Sequence, residues 1–172
     1  MYDGEYYYSK FPESLFSVKN PEVFGVRALA GLEKCKRLNV AFCCLGRDIE
    51  SILHTNMCRI NRTSSFFNSA QIFIVENDSS DKTALMLKKY EMSDKRIKII
   101  SATLSDKKRY SNTGDDSLSI ERVSKMATLR NIYLDEISSL KKIDYVIVID
   151  LDLEGGWSYD GFLDCFSHRR PT

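Results

Sequence analysis

Beyond residue 38 the chain alternates between short apolar runs and longer amphipathic stretches. Val40 to Leu45 is a six-residue apolar run, the length and character of a strand buried on both faces. Gly46-Arg47-Asp48 breaks it, and Ile49, Ile52, Leu53, Met57 and Ile60 then recur at helical spacing. Gln71 to Val75 reads as a second strand. A helix is expected from about Lys82 to Tyr90, with Ser79, Ser80 and Asp81 available to cap it. Arg96 to Ser101 reads as a third strand. Residues 103–118 are polar and read as a long loop carrying Lys107-Lys108-Arg109 and Gly114-Asp115-Asp116. A long helix is expected over about Ile120 to Leu140, with Val123, Ala127, Arg130, Leu134 and Ile137 along one face. Asp144 to Asp150 reads as a fourth strand, and its apolar content predicts a central place in the sheet. Upstream, residues 1–21 are aromatic and polar, with Tyr6 to Tyr8 in a row and Pro12 and Pro21 as breakers. Pro21 suits the start of a helix reaching about Arg37, on which Val23, Val26 and Ala30 recur near helical spacing.

Apolar strands separated by helices predict an α/β domain with a mostly parallel sheet and helices on both faces. The chain divides into an N-terminal arm and helix, residues 1–38, and a ligand-binding domain, residues 39–172. Right-handed crossovers put every strand end that precedes a helix on one edge of the sheet. Three polar clusters fall at such ends: Gly46-Arg47-Asp48, Glu76-Asn77-Asp78-Ser79 and Asp150-Leu151-Asp152. Open α/β sheets bind ligands at that edge, so the three clusters are candidates for one site.

Composition narrows the classes. A chain of 172 residues, 43% hydrophobic and 28% charged, is long enough for one domain with a substantial core. Its net charge of +1, from 25 basic and 24 acidic residues, argues against a nucleic-acid binder. No run approaches the length needed to span a bilayer, and the start, Met-Tyr-Asp-Gly-Glu, has no signal-peptide pattern. The default location is the cytoplasm. The five cysteines, Cys35, Cys43, Cys44, Cys58 and Cys165, form no Cys-x-x-Cys pair and read as reduced, buried thiols. Cys43 and Cys44 should point to opposite faces of their strand. With His54 and His168 far apart, a zinc site is not expected.

The strongest chemical signal is Val146-Ile147-Val148-Ile149-Asp150-Leu151-Asp152, an apolar strand that stops in two carboxylates one residue apart. A turn there lets both acids reach one cation. With diphosphate oxygens and water they make the oxygen-rich shell that Mg²⁺ or Mn²⁺ takes. Read blandly, they are a solvated strand end. In Glu76 to Thr83, helix-start N–H groups suit an anion, and Glu76 or Asn77 suits a nucleobase edge. Capping alone explains the same turn. Arg130 interrupts an apolar stripe, so it needs Asp150, Asp152 or a phosphate as partner unless it snorkels to solvent. Arg47 suits a phosphate and Asp48 a helix cap. Gly155-Gly156 permits a tight turn, and Trp157 suits stacking on a sugar or packing the domain. Asp160 and Asp164, four residues apart, share a helix face, but nothing makes either a catalytic base.

Taken in order, Asn39 to Asp48, Ile74 to Thr83, Ala127-Thr128-Leu129-Arg130-Asn131 and Val148-Ile149-Asp150-Leu151-Asp152 resemble the nucleotide-sugar-binding half of a GT-A type glycosyltransferase. The Glu76-Asn77-Asp78-Ser79 stretch looks closer to capsule-type mannosyltransferases and collagen-modifying galactosyltransferases than to the common bacterial pattern. The resemblance covers roughly residues 38–166. It implies a Rossmann-like nucleotide-diphospho-sugar-binding fold. Asp150 and Asp152 would hold Mn²⁺ or Mg²⁺, with Asp150 also at the nucleotide. Arg47, Glu76, Asn77 and Arg130 would contact the nucleotide, Glu76 at the base. A UDP-sugar is the expected donor, with GDP-sugar as alternative, and a carbohydrate or glycoconjugate hydroxyl the acceptor. The family's acceptor-binding half follows the paired acids, and only Leu153 to Thr172 follow here, so the resemblance implies an incomplete domain without an assignable base. Some relatives work in the secretory pathway, and Asn61-Arg62-Thr63 and Asn77-Asp78-Ser79 fit the N-glycosylation pattern.

Two rival readings stand beside this one. A phosphotransferase or phosphohydrolase of doubly wound fold would use the same acids, although Asp150 lies late in the chain for a nucleophile. A nucleotide-binding fragment or regulatory domain would keep the fold without activity. A nicotinamide dehydrogenase is disfavoured, since no Gly-x-Gly-x-x-Gly follows the first strand.

Overall fold

In the computed structural model, residues 18–104 and 120–168 are described; Tyr6 to Tyr8, Lys107 to Arg109 and Gly114 to Asp116 lie outside them. The elements are α1 (Pro21–Cys35), β1 (Asn39–Gly46), α2 (Glu50–Ser64), β2 (Ser69–Asn77), α3 (Thr83–Ser93), β3 (Ile97–Ala102), α4 (Ile120–Ser138), β4 (Tyr145–Asp150) and α5 (Tyr159–Ser167). All strand pairs are parallel, in the order β3-β2-β1-β4. The protein is therefore α/β, with a Rossmann-like sheet between helical layers.

The alternation of β1 sorts its side chains between two cores. Val40, Phe42 and Cys44 share a cluster with Leu53, Met57 and Ile60 of α2, Leu87 of α3 and Leu163 of α5. Ala41, Cys43 and Leu45 share the other with Leu129 and Tyr133 of α4. Helices α2 and α3 thus lie on one face, and α4 crosses on the other. With one crossover hand, that change of face makes the strand order reverse, and β4 returns to the free side of β1.

This topology corrects one expectation. Strand β4 sits at an edge of the sheet, not at its centre. On its inner face Ile147 and Ile149 join the larger core. On the other face, α4 packs on β1 and β2, and Val146 and Val148 of β4 are 42% and 52% exposed. The buried seam of α4 is likewise rotated from the expected one: it runs through Lys125, Leu129 and Tyr133 at i, i+4 and i+8. Val123, Ala127 and Leu134 are exposed. Helix α4 carries two apolar stripes, and the one that meets the sheet includes a lysine.

Helix α1 begins as expected, with Pro21 in its first turn and the Asn20 side chain accepting from the Val23 amide at 3.1 Å. Its buried face is again another one, Ala28, Gly31 and Cys35, while Val23 and Val26 are exposed. Gly31 explains the choice. A Cβ there would lie 1.9 Å from the Leu163 carbonyl oxygen of α5, so the helices cross where a side chain is absent. Aromatic rings seal the layer beneath: Phe67 meets Phe162 and Phe166 edge-on, and Phe166 meets Tyr145.

All five cysteines are free, with Cys43 and Cys44 in opposite cores. Burial pushes the Cys35 thiol up to about 11 and the Cys43 thiol to about 12, so neither is a thiolate near neutrality. Cys58 is only partly buried and Cys165 is exposed, so the expectation of buried thiols holds for three of the five. Among the described residues, no helix is long and apolar enough to cross a membrane.

Candidate functional site

The order β3-β2-β1-β4 reverses between β1 and β4, and that switch point is where an open α/β sheet leaves a crevice beyond its strand ends. The register brings the three polar clusters to this one edge. Asp150 pairs across from Leu45, Gly46 from Glu76, and Asn77 from Ala102. The convergence expected from topology is therefore present.

The turns after β1 and β2 are laced to one another. The amides of Asp48, Ile49 and Glu50 donate to Ser79 Oγ (3.2 Å), Thr83 Oγ1 (2.8 Å) and Asp81 Oδ2 (2.9 Å). In return, the amides of Ser80 and Lys82 donate to Asp48 Oδ1 (2.6 Å) and Glu50 Oε2 (3.1 Å). Ser79 N donates to Glu76 Oε1 at 2.8 Å, and Thr83 N to Asp81 Oδ1 at 2.8 Å. These bonds occupy the amides of Ser80, Lys82 and Thr83 with side-chain acceptors at the entry to α3. Glu76, 6% exposed, braces its own turn through Oε1. Asp48 caps the neighbouring turn rather than its own helix. Hydrogen bonds from the Ser80 amide and hydroxyl outweigh burial and hold its carboxyl below the usual carboxylate range. For Asp81, burial pushes the carboxyl up, but hydrogen bonds from Thr83 and from the Glu50 amide more than offset it.

Both strands leave the sheet through a left-handed aspartate, Asp48 at φ 50° and Asp78 at φ 52°. Aspartate tolerates this region better than most side chains, at some cost in strain. Asp78 also receives the Leu104 amide at 3.0 Å, which ties the end of β2 to the chain beyond β3.

Three polar atoms at this edge are buried without a hydrogen-bond partner: Asn77 Nδ2, Arg130 Nε and Asp150 Oδ1. Arg130 Nη2 lies 3.7 Å from Asp150 Oδ1, near enough for attraction and too far for a hydrogen bond. Buried donors and acceptors without partners are costly, which makes these three groups candidates for ligand contact. Arg47 lies beside Asp48, with Nε donating to Oδ2 at 3.3 Å. Lys125 is 4% exposed on the seam of α4. Burial first, then the charges of Arg47 and Arg122, hold its ammonium below the usual lysine range, while Asp78 pulls the other way. Cations crowded in this way favour an anion beside them.

Asp150 and Asp152 fit a divalent cation in part. Asp150 Oδ1 is an acceptor with no donor, Asp152 is exposed, and both offer the hard oxygen that Mg²⁺ or Mn²⁺ takes. Among the described residues no group of three or more His, Cys, Asp or Glu could hold a metal, so the remaining oxygens must come from ligand and water. The two acids are set apart by Leu151, which is fully buried in the larger core. Its amide donates to the Leu45 carbonyl at 3.2 Å.

Two residues behind this turn carry no expectation from the sequence. Asn56 of α2, fully buried, donates through Nδ2 to the carbonyls of Leu151 (2.6 Å) and Leu153 (3.0 Å). Its Oδ1 accepts from Arg59 Nη1 at 2.9 Å. Gly156 sits at φ 78° against that guanidinium; a Cβ there would lie 2.5 Å from Arg59 Cζ. Trp157 packs against the core and donates to Thr63 Oγ1 at 3.0 Å, so it packs the domain. Asp164 is committed to Arg27, 2.7 Å away between α5 and α1. The Asn77 of the second glycosylation pattern is 4% exposed, too buried to carry a glycan in the folded chain. No protein-family model matches the sequence, and no curated protein is similar enough to count as a relative.

Proposed function

We propose that this chain binds a nucleoside-diphosphate sugar in the crevice between β1 and β4, together with a divalent cation, as the donor site of a glycosyltransferase. The observation that carries this reading is the unpartnered Asp150 Oδ1 facing Arg130 at the switch point of the sheet. The Asp150 side chain is 47% exposed, so the carboxylate stays open to a ligand while this oxygen faces the guanidinium.

Asp150 and Asp152 would hold Mn²⁺ or Mg²⁺, which when bound neutralises the diphosphate and makes it a better leaving group. Arg130 keeps the neighbouring oxygens attracted without closing on Asp150. Arg47 and Lys125 add positive potential at the β1 side, and Asn77 Nδ2 offers a donor already removed from water. The laced turns after β1 and β2 fix these groups before any ligand arrives, so little ordering is spent on binding. A UDP-sugar is the favoured donor and a GDP-sugar the alternative, with a sugar hydroxyl as acceptor. Among the described residues no base is assigned, because Asp164 is held by Arg27.

Titration calorimetry with UDP and GDP, with and without MnCl₂, tests the site. Binding is expected to require the metal and to fall about tenfold or more in Asp150→Asn, whose unfolding temperature stays near that of the parent. No heat and no NMR shift with any nucleoside diphosphate in the presence of manganese overturns the proposal.

A further inference from the structure

Leu151 separates the two acids, and every handle on it is held. Its side chain is fully buried in the larger core, and its amide donates to Leu45 O in β1. Its carbonyl receives Asn56 Nδ2 at 2.6 Å, and the same nitrogen reaches the Leu153 carbonyl at 3.0 Å. One side-chain amide thus pins the backbone on both sides of Asp152. A strand end that ran on into solvent would need no such bond, since water would satisfy those carbonyls.

Asn56 is itself held. Arg59, one turn along α2 and 2% exposed, donates to its Oδ1 and thereby fixes which end of the amide faces the loop. The Thr63 hydroxyl donates to the Arg59 carbonyl at 2.9 Å and accepts from Trp157 Nε1 at 3.0 Å, closing the network onto the far side of the same loop. Gly156 is the point of closest approach, where only a glycine leaves room for the guanidinium. The network joins buried groups on α2 to the loop that carries the candidate metal acids, and the bonds on Asn56 use both of its amide protons and its oxygen.

We propose that Asn56, oriented by Arg59, is a positioning residue for the Asp150–Asp152 pair: it sets the loop so that both carboxylates are presented to one cation. The proposal rests on the donor-site reading above. Groups behind a metal ligand typically govern affinity by 10–100-fold, and this pair acts through the ligand backbone rather than through a ligand side chain.

The decisive variant is Asn56→Asp. It keeps the size of the side chain and an acceptor for Arg59 but removes the donor to both carbonyls. Two measurements are made on the folded chain. Manganese affinity in the presence of UDP is expected to fall at least tenfold. Hydrogen exchange of the Leu151 amide, which donates to Leu45 O, is expected to quicken about tenfold or more, while β1 and β2 stay protected. Gly31→Ala, at the α1–α5 crossing, serves as the control for lost stability alone and is expected to leave both readouts in place. Should Asn56→Asp fail to fold, Arg59→Lys replaces it: the charge is kept, the planar fork is lost, and the same two changes are expected in smaller measure. The proposal fails if loop exchange and metal affinity match the parent, or if Gly31→Ala weakens the metal to the same degree. A parent that binds no manganese with any nucleoside diphosphate overturns the donor-site reading and the metal part of this one. The exchange measurement then decides separately whether Asn56 holds the loop.

Discussion

Asp48 occupies a conformation that most side chains avoid, and it does so to hold another turn. At φ 50° its carboxylate takes the Ser80 amide and hydroxyl, while its own amide is taken by Ser79. The ionised form makes these bonds, and its pKa lies below the usual range. Its contribution to stability is therefore complete above the unfolded carboxylate value near ~4 and is lost as pH falls through the depressed folded value. Asn at this position keeps the shape, tolerates the left-handed backbone and still accepts from Ser80, but without charge. Asp48→Asn is expected to cost about 0.5–1 kcal/mol at pH 7, the low figure reflecting a partly exposed group, and less at about pH 3, where the carboxylate begins to be protonated. Urea unfolding at the two pH values measures this, and an equal cost at both would remove the charge from the explanation. At this scale the sequence identified the right chemical types and one pairing, Arg130 with Asp150, and missed the partners of Asp48 and Glu76. Glu76, Asp48 and Asp150 stand at the edge where they were expected. Glu76 takes an amide three residues on, whereas Asp48 reaches residues 31 and 32 positions away, of which local spacing carries no record.

Elements were more legible than their packing. The alternation of apolar runs with helical periodicity located all four strands and the helices between them, because burial on both faces of a parallel sheet leaves a continuous apolar run. The faces of α1 and α4 were misassigned for one reason. Each carries apolar residues on more than one stripe, and which stripe is buried depends on the partner helix or sheet. On α4, Lys125, Leu129 and Tyr133 share an i, i+4 spacing that the lysine disguised. Asn56 and Arg59 were missed although the rule applied to Arg130, a polar residue inside an apolar stripe, finds them too: Leu53, Met57 and Ile60 surround them on α2. On α1 the signal was Gly31, a small residue where two helices cross. Gly→Ala in a helix interior ordinarily stabilises by up to about 1 kcal/mol. Here the new methyl meets the Leu163 carbonyl, backbone rather than a flexible side chain, so the helices must separate. Gly31→Ala is expected to destabilise by about 1–3 kcal/mol and lower Tm by about 3–10 °C. A Tm at or above that of the parent in a thermal melt would mean that α1 does not pack on α5 as described.

At the scale of the whole molecule, the placement of β4 has consequences beyond the site it carries. The reversal of strand order that opens the crevice at Asp150 also leaves β4 with one partner, β1, among the described residues. Helix α4 packs on β1 and β2 and meets β4 at its end, through Arg130 and Asp150, so one arrangement produces both the candidate site and an apolar strip beside it, through Val146 and Val148. Central position was inferred from apolar content, but β4 is apolar on both faces although only the inner one, Ile147 and Ile149, is packed in the core. An exposed edge of alternating valine and isoleucine is the kind of surface on which chains associate unless charge interrupts it. Val148→Lys tests whether that face is open to water. With the side chain half exposed, the change is expected to leave unfolding free energy within about 0.5 kcal/mol of the parent and to lower light scattering at high concentration. If Val148 were instead covered in solution, a lysine there would bury an unpaired charge, and the loss would run to several kcal/mol. Denaturant unfolding and light scattering on the same two proteins separate the cases. Manganese–UDP titration of this variant, expected to match the parent, shows whether the strip and the crevice act independently.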